Sequence, residues 1–119
     1  MSNTLKEFKD YRAKMNERIL SEDNRVIKRV FSVDSLVYTA DSSLSKSTKE
    51  LLGLVSSLVL RCDDCVKYHI EESVKSGLTH EQIVEAMSVG LVVGGTIVIP
   101  HMRRAVEFLD EVEKVLGKN

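Results

Sequence analysis

The stretch KELLGLVSSLVLRCDDCVKYHIEESVKSG, Lys49 to Gly77, decides how this chain folds. Apolar residues recur at helical spacing on both sides of RCDDC, as they do almost throughout the chain, and strand-like alternation with Asn-Gly or Asp-Gly turns is absent. The chain therefore reads as all-α. Ser47 is placed to cap the helix that KELLGLVSSLVL builds, its side-chain oxygen accepting from an early amide. VKYHIEESVKS then ends at Gly77, a residue type suited to the left-handed turn that closes a helix.

Working outward, Thr79 opens the next helix with Gln82 as its capping-box partner three residues on. Gly94-Gly95 marks a break or a tight helix contact, and Pro100 starts or kinks a final amphipathic helix. Its apolar positions are Ala105, Val106, Phe108, Leu109, Val112 and Val115. Upstream, the serine-rich DSSLSKST (Asp41 to Thr48) is a break too short to link domains. Before it, Leu5, Phe8, Ala13, Met15, Ile19 and Leu20 mark a polar first helix ending near Ser21 to Asn24. Val26, Ile27, Val30, Phe31, Val33, Val37 and Ala40 are candidates for the buried side of a second.

A length of 119 residues fits one domain, 1–119, and no repeat of solenoid period is present. Seventeen basic and eighteen acidic residues are spread along the chain without a run of like charge, which argues against nucleic acid or an anionic membrane as partner. The N-terminal MSNTLKEFKDYRAKMNERIL interleaves charges and lacks the apolar core of a signal peptide, so a cytoplasmic protein is expected. The most apolar segment, Ala86 to Pro100, is shorter than the ~20 residues of a membrane span. Being apolar on every face, it is expected to lie partly at a subunit interface.

Both cysteines fall inside RCDDC, and in a reducing compartment such a pair is a candidate for catalysis or metal binding rather than a permanent staple. If the residues from Cys62 onward are helical, Cys65 and His69 stand at i and i+4 on one face, within reach of each other. A neighbouring base or a helix N-terminus raises the thiolate fraction of a thiol whose ordinary pKa is ~8.5. Thiolate Cys65 can then be oxidised to a sulfenic acid and condense with Cys62, His69 acting as base. A carboxylate behind the imidazole would fix its tautomer. Spacing leaves Asp63, Asp64, Glu71, Glu72 and Glu50 all open for that place, and the charges of Asp63 and Asp64 oppose thiolate formation.

Glu50, eleven residues, Cys62-Asp63-Asp64-Cys65, three residues, then His69: this pattern resembles the alkylhydroperoxidase D-like core of the carboxymuconolactone decarboxylase family. The surrounding LVYTADSSLSKSTKELLGLVSSLVLRCDDCVKYHIEESVKSGLTHEQIVEAMSVGLVVGG is similar to that core over about half the chain, within a motif region of about 36–100. The resemblance implies a compact bundle of about five to seven helices that assembles into a trimer or hexamer, with the site near a subunit interface. It implies Cys65 as the peroxidatic thiol, Cys62 as the resolving one, and Glu50 with His69 as a proton relay. Asp64 stands where the peroxidase members carry a histidine, an anion in place of a proton donor. The decarboxylase members lack the cysteine pair.

The expected activity is thus reduction of a small peroxide or disulfide, with an external dithiol or redox protein as reductant and no bound organic cofactor or metal. A lactone decarboxylase-like reaction through His69 and Glu50 is the enzymatic alternative. A non-catalytic metal-binding or scaffolding oligomer, with Cys62, Cys65 and His69 plus Glu50 or Asp64 as ligands, is the other. Asp64, Tyr68 and His101 are candidates to modulate the site. His80 reads as a solvated first-turn residue, Arg103-Arg104 as a solvated face or inter-subunit ion pair, and Met87 and Met102 as core.

Overall fold

A computed structural model of the chain describes residues 4–39 and 41–117. Among these the α-helices are α1 (Thr4–Leu20), α2 (Arg25–Thr39), α3 (Lys46–Val59), α4 (Asp63–Lys75), α5 (His80–Gly94) and α6 (Ile99–Leu116), with a 3₁₀ turn at Thr96–Val98 before α6. No strand occurs among the described residues. The all-α expectation is met. The helices fall into two compact units, one drawn from residues 1–40 and the other from 41–119.

In the first unit, Asp23 turns the chain through a left-handed conformation after α1, and Asn24 accepts from the amide of Ile27 to start α2. The side of α2 expected to be buried is largely open to solvent. Val26, Val30, Val33 and Val37 are all 49–70% exposed, and Ile27 and Phe31 are half-buried. Ala40 lies outside the described residues. Helical period shows which residues share a face but not what covers that face. Here Arg25, Val26, Arg29, Val30 and Val33 line an open groove of about 460 Å³.

The second unit carries the core. Leu54 and Leu58 of α3, Val66, Ile70 and Val74 of α4, Ile83 and Met87 of α5, and Ala105, Phe108, Leu109 and Val112 of α6 are buried together with Val98. α3 packs on both α4 and α5, while α4 also packs on α6. Val106 and Val115, expected on the apolar side of α6, are exposed, and Met102 is half-buried rather than core.

Local signals place most helix ends. Ser45, not Ser47, caps α3, its hydroxyl accepting from the amide of Thr48. Both serines are suitable cap residues, and the backbone amide of Lys46 bonds Asp41, which starts the helix two residues sooner. Thr79 and Gln82 form the expected capping box. Gly94 and Gly95 provide both a break and a close contact. A Cβ on Gly94 would stand 2.4 Å from Val98, and Gly95, at φ +82°, ends α5 in a conformation that favours glycine. Pro100 sits in the first turn of α6, where its missing amide costs nothing.

Candidate active site

Arg61 is in the left-handed region, at φ +61°, and turns the chain sharply between α3 and α4. Cys62 follows as the N-cap of α4, one residue before the helix rather than inside its first turn as expected. Its Sγ accepts from the backbone amide of Cys65 at 3.3 Å. Both sulfurs therefore sit at the positive end of α4, where orphan amides and the helix dipole favour a thiolate. The two cysteines are joined as a disulfide, their Cα atoms 5.3 Å apart. Cys65 is exposed and Cys62 half-buried.

One turn further, on the face of Cys65, His69 is buried and its Nδ1 lies 2.8 Å from Oε1 of Glu50. Glu50 comes from α3 and is fully buried. Of the five carboxylates that spacing left open, it is Glu50 that meets the imidazole. With the proton on Nδ1 and donated to Glu50, Nε2 is the basic nitrogen. The Tyr68 ring lies edge-on to His69, centroids 5.2 Å apart.

The other oxygen of Glu50 accepts from Lys46 Nζ at 2.9 Å, and the same ammonium reaches Glu72 at 3.3 Å. Lys75 meets the second oxygen of Glu72 at 3.2 Å. Burial pushes the Glu50 carboxyl up, but hydrogen bonds and charge from His69 and Lys46 outweigh it and hold the group below the ordinary carboxylate range. Lys46 is likewise pushed down by burial, and Glu50 and Glu72 together raise it above the usual lysine value. Lys46 escaped the sequence reading of the relay, and Glu72, one of the carboxylates that spacing left open, is a partner of Lys46. The i, i+4 spacing of Lys46 and Glu50 was the available signal.

Asp63 belongs to a second cluster. His101 Nδ1 lies 2.7 Å from one of its oxygens and Arg104 Nε donates to the other at 2.9 Å. Burial raises the Asp63 carboxyl, and the hydrogen bonds from His101 and Arg104 bring it below its usual range. Asp63 is thus not the partner of His69, and the charge expected to oppose the thiolate is matched by a guanidinium. Arg103 and Arg104 are exposed, as a solvated face requires, and Arg104 also forms this ion pair within its own chain. The partners are 38 and 41 residues apart, beyond any local signal. Asp64 is exposed in the first turn of α4.

His80 is also more than a solvated first-turn residue. It lies 2.8 Å from the buried carboxylate of Glu113, which raises the histidine's pKa above its ordinary value. His80, Asp110 and Glu113 form the three-ligand grouping among the described residues, their ligand atoms within 4.8 Å of one another. The metal arrangement considered for the cysteines involves other residues; Cys62 and Cys65 are bonded to each other. No helix among the described residues is long and apolar enough to cross a membrane.

Solved structures of a Thermotoga maritima protein are similar to this chain. One has a TM-score of 0.90 at 48% identity, covering 96% of this chain and 99% of that one. Another has a TM-score of 0.86 at 47% identity, covering 95% and 97%; that protein is described as a carboxymuconolactone decarboxylase family member for which a part in the antioxidative response has been suggested. An apo structure of a family protein from Legionella pneumophila shares the fold, with a TM-score of 0.83 at 21% identity over 93% of this chain and 98% of that one. An uncharacterized protein of the cox locus of Paracoccus denitrificans is 32% identical over 87 residues, 73% of this chain and 78% of that protein. The sequence profile of the carboxymuconolactone decarboxylase family matches residues 26–108. With the profile and close structural likeness in agreement, this chain belongs to the carboxymuconolactone decarboxylase family.

Proposed function

We propose that the protein is a thiol-dependent oxidoreductase that reduces a small peroxide, or a disulfide, through Cys62 and Cys65. The observation that carries this reading is the cysteine pair at the N-terminus of α4, within bonding distance, with the buried Glu50–His69 pair one turn along the same helix. The role suggested for the Thermotoga relative points the same way.

His69 takes the Cys65 proton at Nε2, Glu50 holding the other ring nitrogen. The Cys65 thiolate attacks the terminal oxygen of R–O–OH; an S–O bond forms, the O–O bond breaks, and the leaving alkoxide takes the proton from His69. The Cys62 thiol then attacks the sulfenic sulfur, giving the disulfide and water. Two electrons pass from the dithiol to the peroxide, and an external dithiol returns them by exchange.

A count of free thiols on reduced protein, before and after a stoichiometric pulse of an alkyl hydroperoxide, tests this. Loss of both thiols within seconds, recovered by a dithiol reductant, is the expected result. Two thiols still free after many minutes would reject peroxide as substrate. Lactone decarboxylation through His69 and Glu50, the reaction for which the family is named, is separated by a Cys62→Ser, Cys65→Ser double variant, in which only cysteine-independent chemistry survives.

We infer further that subunits associate. Val89, Val92, Val93 and Ile97 are 52–84% exposed on and after α5, Val26, Val30, Val33 and Val37 of α2 are 49–70% exposed, and such surface is rarely left open to water.

A further inference from the structure

The Glu50 carboxylate raises a question that the cysteine chemistry does not answer. It is fully buried, and a buried carboxylate stays ionised only when charge and hydrogen bonds replace its lost water. For His69 to take a thiol proton it must begin neutral, so the imidazole cannot also be the cation that balances Glu50. Lys46 is the cation in contact, at 2.9 Å from the oxygen that His69 does not use.

We propose that Lys46 is a positioning residue, holding the Glu50 carboxylate in place against His69 and tying it to α4 through Glu72. This rests on the redox reading above and adds to it a residue that touches neither sulfur nor substrate. Lys46 sits in the first turn of α3, one turn before Glu50 and 26 residues from Glu72. Its ammonium bridges two carboxylates on two helices, so its position is set from both sides. The groups acting on Glu50 are Lys46 of α3 and His69 of α4. Glu72 acts through Lys46, and Lys75 of α4 sits on the far side of Glu72. α5, which also packs on α3, has Ile83, Met87 and Gly90 as its buried residues and brings no charge with them.

With Lys46 replaced by an apolar side chain, the buried Glu50 anion has His69 alone to balance it, and the pair takes up a proton more readily. His69 is then already protonated at a pH where it should serve as base.

The test follows the Cε1–H resonance of His69 by NMR across pH, assigned with His69→Ala, and in parallel the pH dependence of iodoacetamide alkylation of the reduced protein. In Lys46→Met the His69 titration and the acid-side limb of alkylation are expected to move to higher pH by about one unit. Lys46→Arg should restore both, and Lys75→Met, the same charge change one carboxylate further away, should leave both in place. Lys46→Gln, which keeps a donor to Glu50 and removes the charge, is expected to shift them like Lys46→Met and serves if that variant does not fold. A folded Lys46→Met or Lys46→Gln protein with an unmoved His69 titration would overturn the proposal. Alkylation unchanged by His69→Ala would instead reject the redox relay, while the NMR result still judges Lys46.

Discussion

Glu50 and His69, on different helices and 19 residues apart, meet at 2.8 Å with side chains 0% and 10% exposed. The contact joins α3 to α4 one helical turn after Cys65, so the element that orients the base also holds the helix whose N-terminus carries the sulfurs.

Removing the carboxylate should therefore cost stability as well as activity. Glu50→Ala leaves Lys46 and His69 without their shared anion, and urea unfolding is expected to show a loss of about 3–5 kcal/mol. Because the folded carboxyl lies below its ordinary range, its contribution is present above the unfolded carboxylate pKa and is lost as pH falls through the folded value. The difference between wild type and Glu50→Gln should accordingly shrink on acidification below about pH 4; a difference that grows there would mean the sign is wrong.

The two thiols should separate in single variants. Cys65→Ser is expected to abolish peroxide consumption, whereas Cys62→Ser should permit one oxidation event per subunit and leave a sulfenic acid that dimedone labels. Since Cys62 Sγ accepts the Cys65 amide, the order of the thiols is open to direct refutation: labelled sulfenic acid in Cys65→Ser alone would reverse it.

Asp63 and Arg104 predict effects of opposite sign on the same thiols. Arg104→Gln leaves the Asp63 carboxylate with less compensation, raising the thiol pKa and slowing alkylation at neutral pH. Asp63→Asn removes the anion beside Cys62 and should speed alkylation. Two changes in the same direction would mark the cluster as a helix tie without influence on the sulfurs.

His80 and Glu113 give a pH dependence away from the site. The histidine's pKa is raised in the folded state, chiefly by its hydrogen bond to Glu113. Its stabilising effect is therefore full below the unfolded value of about 6.5 and is lost as pH rises through the folded one. The melting temperature of wild type should exceed that of His80→Gln by more at pH 5.5 than at pH 9, and equal differences would show that the pair does not titrate.

Association can be read by light scattering at micromolar concentration. A trimer or hexamer is expected for wild type, and Val92→Glu, at a side chain 84% exposed in the isolated chain, should lower the mass. Monomer in the wild type would reject the inference.

What lay open in the sequence is what neighbours along the chain decide. The helical period, the Thr79 capping box, the stop at Gly77, the start at Pro100 and the placing of Cys65 and His69 on one face all depend on contacts within about one turn. Ser45 in place of Ser47 as cap was a choice between equivalent hydroxyls two residues apart. Tertiary structure alone decided which of five carboxylates reaches His69, that Asp63 turns instead to His101 and Arg104, and that the valines of α2 are left bare. Those outcomes depend on how helices 19 to 41 residues apart pack, and side-chain spacing along one helix carries no information about the face of another.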